Sequence, residues 1–252
     1  MSEQAPSIGG AIGSGDQPRL RWLREVWEST IGKKFIVAAT GAVLAAYVVL
    51  HALGNLKAVQ GAGGGTPAID TYADWLRTIG GPAVPREGVL WTIRALLLLA
   101  LIVHIVGVLA LTRRNREARP PGHRSTPVIR RSPAARTMLV TGVLVLAFIV
   151  FHILQFTTRT IHPTPLGSAT VYTNLYLAFQ EWWLVAIYVG AVVLLGFHLY
   201  HGLWSATQTM GWDTPNRNPT FRRAAALISI AVTAAFASVP ILFFADALPA
   251  PA

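Results

Sequence analysis

The sequence contains no cysteine. That absence excludes thiolate ligation of an iron–sulfur cluster, covalent thioether attachment of a haem, and any disulfide. Charge is the second scarcity: only 13% of the residues are charged, about half of the roughly 25% usual in a soluble domain. Acidic residues are fewest, 11 against 21 Lys and Arg, for a net charge of +10. What fills the space is hydrophobic, 53% of the chain, gathered in long uninterrupted runs of the kind a bilayer requires. The basic residues lie between those runs, so the positive excess reads as membrane topology and not as a nucleic-acid interface. Residues 1–18 are rich in Gly, Ser, Ala and Pro and lack a charged start before an apolar core. They do not read as a signal peptide, and a mobile cytoplasmic N-terminal tail is expected over residues 1–26.

Five segments are each long enough to cross a hydrocarbon layer of about 30 Å at about 20 residues per crossing. Span I runs from about Lys34 to Leu56, span II from Gly88 to Leu111, and span III from Thr137 to Thr158. Span IV covers Trp182 to Thr207 and span V Ala224 to Ala245. Pro85, Pro133 and Pro219 precede spans II, III and V, where proline ends a connection without disturbing a helix. Residues 27–246 thus form one membrane domain, followed by a short external C-terminal tail over 247–252. One side of the membrane holds Arg19, Arg21, Arg24, Lys33, Lys34, Arg113, Arg114, Arg116, Arg119, Arg124, Arg130, Arg131, Arg136, Arg217, Arg222 and Arg223. The other side holds Lys57, Arg77, Arg86 and Arg159. The positive-inside rule then makes the N-terminus cytoplasmic and the C-terminus external.

Seven histidines occur, of which His123 and His162 fall in connections and read as solvated. The other five lie in spans: His51 in I, His104 in II, His152 in III, and His198 with His201 in IV. An ionisable group within a span is a functional hypothesis by default. His51 precedes Lys57 by six residues and His152 precedes Arg159 by seven, on two outward-running helices. Both therefore sit roughly 9–10 Å below the external end. His104 precedes Arg113 by nine residues and His198 precedes Thr207 by nine, on inward-running helices. These two sit roughly 13 Å above the cytoplasmic end. Two pairs result, His51 with His152 on an outer level and His104 with His198 on an inner one. Imidazoles facing each other across a bundle suit the two axial positions of a six-coordinate haem iron. Zinc would want more ligands on one level, and a proton relay would want mid-span carboxylates, which are lacking. The expected fold is an all-α integral membrane protein in which spans I–IV form a haem-binding four-helix bundle and span V is peripheral. The expected cofactors are two haem b groups.

An internal repeat supports that pairing. Thr40-Gly41 stands ten residues before His51, counted from the glycine, and Thr141-Gly142 stands ten before His152. Glu87 and Glu181 each lie seventeen residues before His104 and His198, and Leu90 and Leu184 fourteen before them. Gly41 and Gly142 fall near the inner level, where a missing side chain would let a flat macrocycle approach the backbone. The alternative is ordinary small-residue packing between membrane helices.

The run Ser29-Thr30-Ile31-Gly32-Lys33-Lys34-Phe35, with Thr40-Gly41 and His51-Ala52-Leu53-Gly54-Asn55-Leu56, resembles the first helix of a known family. That family is the single-chain, di-haem cytochrome b subunit of succinate dehydrogenase and fumarate reductase. Gly196-Phe197-His198-Leu199-Tyr200-His201-Gly202-Leu203-Trp204-Ser205 is similar to its fourth-helix motif. The resemblance covers residues 27–245 and implies His198 as ligand with His201 as neighbour, the alternative being His201 as the ligand. It also implies a subunit of a succinate:quinone oxidoreductase in a bacterial plasma membrane, outside the catalytic core. Succinate chemistry would reside in a flavoprotein subunit, and an iron–sulfur subunit would deliver electrons through inner and outer haems to a quinone, usually menaquinone. A higher oligomer of the whole complex is compatible with this. Some fumarate-reducing members carry Glu two residues before the fourth-helix ligand; here that position is Gly196, which favours succinate oxidation.

Arg94, in the outer half of span II, needs an anionic partner, for which an outer haem propionate is the first candidate and snorkelling to the surface the alternative. His201 lies three residues from His198 on roughly the same face, where a propionate or a quinone would be its partner. Quinone candidates on the outer side are Asp70, Tyr72, Asp74, Trp75, Gln180 and Glu181. On the inner side they are Ser29, Lys33 and Trp27. Interfacial anchoring and capping are the alternative for all of them. Two other functions fit the same features: the di-haem subunit of a formate dehydrogenase or hydrogenase, and a cofactor-free transporter.

Overall fold

The computed structural model describes residues 18–61, 65–118, 133–161 and 170–251, and no strand occurs among them. The helices are α1 (Pro18–Glu28), α2 (Thr30–Asn55), α3 (Ala68–Thr78), α4 (Gly88–Glu117), α5 (Pro133–His152), α6 (Val171–Phe179), α7 (Trp182–Thr209) and α8 (Asn218–Phe244). Helices α2, α4, α5, α7 and α8 are spans I to V, each long and apolar enough to cross a membrane. A 3-10 turn over Leu56–Gln60 extends span I, and a π turn over Ile153–Thr157 extends span III. His123, His162 and the basic run over 119–132 lie outside the described residues.

The helix ends follow local chemistry. Ser29 sits in extended conformation before span I, and its hydroxyl accepts from the Gly32 amide at 2.8 Å, an N-cap that satisfies one orphan donor. Thr170 caps α6 by accepting from the Thr173 amide at 3.3 Å. Pro219 stands in the first turn of span V, where its missing N–H has no helical partner to lose. Residues 18–26, expected in a tail, belong instead to α1. Pro18 opens that helix, and Arg21–Glu25 and Arg24–Glu28 ion pairs at 3.0 and 2.8 Å brace it one turn apart. The rest of the expected tail, residues 1–17, lies outside the described residues.

The spans turn large apolar side chains outward along their length: Ile31 is 82% exposed, Leu99 59% and Leu227 68%. No water-soluble surface tolerates such continuous apolar area; hydrocarbon does. The chain is a multi-pass, all-α membrane protein.

Span I packs against II, IV and V, and span IV packs against III and V. The I–III, II–III and II–IV pairs are not among the closely packed ones of the described residues; the histidine pairs join spans I to III and II to IV, here termed the diagonals. Span V buries Ala225, Ser229, Val232, Val239, Pro240 and Phe243, whereas Gly107 is the one buried residue of span II among those described. The larger core lies at the end where α3 and α6 cover the bundle, here termed the cap. It joins Ile69, Tyr172, Phe179, Leu184, Tyr188, Val239, Phe243 and Leu248. The C-terminal segment is part of it, because the Tyr172 hydroxyl donates to the Pro249 carbonyl at 2.9 Å. A smaller core of Ala52, Leu199 and Val232 seals the seam of spans I, IV and V.

Candidate functional site

The four paired histidines fall on the diagonals. His51 of span I and His152 of span III face each other with ring centroids 6.0 Å apart and planes at 72°. They sit at the cap end inside an aromatic box. Tyr47 stacks on His51 at 5.4 Å and 8°, and Phe236 of span V meets it at 5.5 Å. Phe148 and Phe156 flank His152 at 5.9 and 5.7 Å. Tyr188 of span IV places its hydroxyl 3.2 Å from His152 Nδ1 and donates to Gln155 Oε1 at 2.8 Å. On His51, Nε2 lies 3.4 Å from the Asn55 amide nitrogen, which donates to the His51 carbonyl at 2.9 Å.

The second pair, towards the N-terminal end, is held by two copies of one device. His104 Nδ1 lies 3.1 Å from the Val37 carbonyl and 3.2 Å from the Thr40 hydroxyl. His198 Nδ1 lies 3.4 Å from the Thr141 hydroxyl, with the Met138 carbonyl also in hydrogen-bonding reach. Val37 and Met138 each stand three residues before their threonine. The Thr40 hydroxyl donates to the Ile36 carbonyl at 2.7 Å, and the Thr141 hydroxyl donates to Thr137 at 3.1 Å. With that hydrogen spent, each threonine oxygen faces its histidine as an acceptor. The Nδ1 position therefore carries the proton, and Nε2 keeps a bare lone pair.

This donor set fits an axial ligand pair. Metal-ligating histidines generally donate their second ring N–H to a protein acceptor, as His104 and His198 do here. A first-row metal–imidazole bond is about 2.0–2.1 Å, so two in line, with half of each ring, span roughly 6 Å. The His51 and His152 ring centres are 6.0 Å apart, on the scale of that span. His51 Nε2 would give up its 3.4 Å approach to the Asn55 amide nitrogen in order to ligate through that atom. Among the described residues no three His, Asp or Glu side chains gather as a metal-holding cluster.

Gly41 and Gly142 each lie against a histidine ring of the second pair. A Cβ at Gly41 would meet His104 Cε1 at 3.1 Å, and one at Gly142 would meet His198 Cε1 at 3.3 Å. The missing side chains make room for the imidazole edge itself, which is why the neighbouring Thr and carbonyl can reach Nδ1. Gly196 has its own packing reason: a side chain there would press on the Thr233 hydroxyl of span V.

Arg94 lies at the cap-end tier, its guanidinium 4.8 Å from the Trp91 ring centre and close enough to Tyr47 to act on it electrostatically. His201 packs edge-on to Trp204 at 6.0 Å, and Arg222 covers the other ring at 5.0 Å. The His201 Nδ1 and Trp204 Nε1 atoms are buried without a partner among the described residues.

The quinone candidates do not converge on one slot. Ser29 is the cap of span I, and Lys33 donates to the Trp27 carbonyl while its ammonium lies 5.3 Å from the Trp27 ring centre. Asp74 pairs with Arg86 at 2.6 Å on the exposed cap surface, and Trp75 stacks on Tyr72 at 5.7 Å. Tyr72 presses onto Gly54. Asp70 accepts from the Tyr172 amide at 3.0 Å and leaves Oδ2 buried without a partner. Gln180 donates to the Phe243 carbonyl at 3.0 Å, and Glu181 is the residue before span IV. Outside the spans, burial pushes the Tyr172 hydroxyl above its ordinary pKa.

Tyr47, Tyr188, Gln155, Phe148 and Phe236 were not singled out from the sequence. A signal for some of them was present in the repeat. Tyr47 and Phe148 each stand four residues before the cap-side histidine, and Arg94 and Tyr188 each stand ten before the other one. Phe236 has no such signal, because span V is outside the repeat. Comparison with protein-family models, with curated proteins and with solved structures finds no match to this chain.

Proposed function

We propose that this chain is the membrane-anchor cytochrome b subunit of a succinate:quinone oxidoreductase, with one haem b between His51 and His152 and another between His104 and His198. The observation that carries the reading is the pair of diagonal histidine couples, one at 6.0 Å between ring centres and the other with both Nδ1 atoms turned to protein acceptors. When bound, two bis-histidine haems supply one-electron carriers at two depths, low-spin and closed to oxygen. The chain's own part is to hold and orient. Thr40, Val37, Thr141 and Met138 fix the tautomer and ring plane of the N-side ligands. The aromatic box of Tyr47, Phe148, Phe156 and Phe236 keeps water from the cap-side ligands.

The distribution of Lys and Arg supports a cytoplasmic N-terminus, with the N-side pair facing an iron–sulfur subunit and the cap facing outward. Arg94, exposed on span II with its guanidinium over Trp91, is the candidate partner of an outer propionate. The choice of succinate and quinone as terminal partners rests on the resemblance of the first and fourth spans. Gly196 supports the oxidising direction, because no carboxylate stands two residues before His198.

A pyridine haemochrome assay on the purified chain tests the cofactor. Two haem b per chain is expected, and a colourless preparation lacking a Soret band would sink the reading in favour of a transporter. Co-purifying chains test the partner. A flavoprotein with covalently bound flavin is expected, whereas a molybdenum- or nickel-containing partner would reassign the subunit to a formate dehydrogenase or hydrogenase.

A further inference from the structure

The two cap-side ligands are treated unequally. His51 and His152 share an aromatic residue four positions earlier, Tyr47 and Phe148. Beyond that the halves diverge. Three residues after His51 stands Gly54, and three after His152 stands Gln155. Ten residues before His104 stands Arg94, and ten before His198 stands Tyr188. Gln155 and Tyr188 are thus both departures from the repeat, and they touch each other.

Gln155 is fully buried and Tyr188 is 7% exposed. The Tyr188 hydroxyl has one hydrogen, and the Gln155 carbonyl oxygen takes it at 2.8 Å. At the opposite side the same hydroxyl oxygen lies 3.2 Å from His152 Nδ1. An oxygen whose hydrogen is committed can only accept there, so Nδ1 must carry the proton and Nε2 must be bare. The order runs one way along the chain of atoms: amide oxygen, hydroxyl, imidazole. Gln155 Nε2 is left without a partner among the described residues. The carbonyl oxygen is the part of the amide that meets Tyr188. Gln155 also lies in the π turn Ile153–Thr157, a feature that recurs where a helix re-aims a side chain at a functional site.

We propose that Gln155, acting through Tyr188, is a positioning residue that sets the tautomer of His152 and so fixes Nε2 as its ligating atom. This rests on the haem reading above. An acceptor on Nδ1–H makes an imidazole a stronger donor to its metal, which favours the oxidised iron and lowers the potential. The relay therefore acts on the cap-side haem alone, since the N-side ligands have their own acceptors in Thr40, Val37, Thr141 and Met138.

The test is a redox titration of the purified holoprotein, followed optically and by EPR, in wild type, Tyr188→Phe and Gln155→Leu. Tyr188→Phe keeps the ring in its packing and removes the acceptor, so the cap-side midpoint potential should rise. Gln155→Leu should shift it in the same direction by a smaller amount, with a change in the EPR g-values of that haem. The N-side haem should be unmoved in both and serves as the internal measure of folding. A cap-side potential and spectrum unchanged in both variants would overturn the proposal while leaving the di-haem reading intact. Equal shifts of both haems would overturn it too, as a general loosening. A wild-type protein without haem would overturn the function reading and this one with it. If Gln155→Leu yields no folded protein, Gln155→Glu keeps an oxygen acceptor and should hold the g-values near wild type; g-values like those of Tyr188→Phe would count against the relay.

Discussion

The two histidine pairs occupy one bundle and are built on different principles. The N-side pair obeys the internal repeat down to the atom. Each ring lies against a glycine, and each Nδ1 meets a threonine hydroxyl and the carbonyl three residues before it. The cap-side pair keeps the repeat only in its preceding aromatic ring, then departs from it at Gly54 against Gln155 and at Arg94 against Tyr188. The N-side acceptors are the same threonine in both halves, each beside a glycine that seats the ring, so the repeat carries the whole device. Side-chain relays and a lone guanidinium are properties of single positions, and one substitution in either half breaks the symmetry. The likeness of the N-side pair and the unlikeness of the cap-side pair follow from what each is made of.

Ligand removal should separate the tiers most completely. His104→Ala or His198→Ala should halve the haem content and abolish the N-side redox wave, with the cap-side wave retained. His51→Ala or His152→Ala should do the converse. Retention of both haems in any one of the four strikes that residue from the ligand set. Loss of both in every variant would mean that the tiers are not independent. The next largest effect is steric. Gly41→Leu would drive a branched side chain into His104, where a Cβ alone already comes to 3.1 Å. Overpacking of this kind costs about 1–3 kcal/mol, and the N-side haem should be lost or weakened while the cap-side potential stays. Gly142→Leu should behave alike through His198, measured by haem content and thermal denaturation in detergent.

The spans were legible because a bilayer imposes one rule on all of them. The expected starts of spans II and IV, Gly88 and Trp182, are where the helices begin, and span V begins earlier than expected, at Asn218. The extra turns at Arg113 to Glu117 and at Asn218 to Arg223 are polar, so hydropathy stops short of them although the backbone continues. The same limit hid α1, whose order comes from exposed Arg–Glu pairs, and α3 and α6, which are too short to read as spans. The four paired histidines were legible from type and depth. Their surroundings were legible only where the repeat doubled them. The contact of Gly41 with His104 was not legible, because spacing gives a glycine's level along a helix and not which neighbour fills the space. Gln155 was invisible: a glutamine near a span end reads as interfacial, and nothing in its neighbours shows that a tyrosine 33 residues later meets it.

A finer cut falls within the N-side device itself. Thr40→Val removes one of two acceptors from His104 and leaves the Val37 carbonyl at 3.1 Å. The net loss should be about 0.5–1.5 kcal/mol, with a modest rise in the N-side potential. Thr141→Val should do the same to His198. A shift confined to the cap-side haem in either variant would contradict the assignment of these threonines to the N-side tier.

The smallest expected effect is the one that shows whether glycine position or glycine number matters. Gly190 lies in span IV, as His198 does, between the cap-side relay residue Tyr188 and that ligand. A Cβ built there meets nothing within 4 Å, and the residue is exposed, so it faces lipid. Gly190→Ala should leave both haems and both potentials unchanged, and should be neutral or stabilising by up to about 1 kcal/mol through helix propensity. Gly142→Ala makes the same chemical change at a site where the new carbon comes to 3.3 Å from His198 Cε1. It should shift the N-side haem and lower the denaturation temperature. If the two alanine variants behave alike, glycine matters to these helices only as flexibility. If they differ in this sense, the gap at Gly142 is a fitted seat for the imidazole.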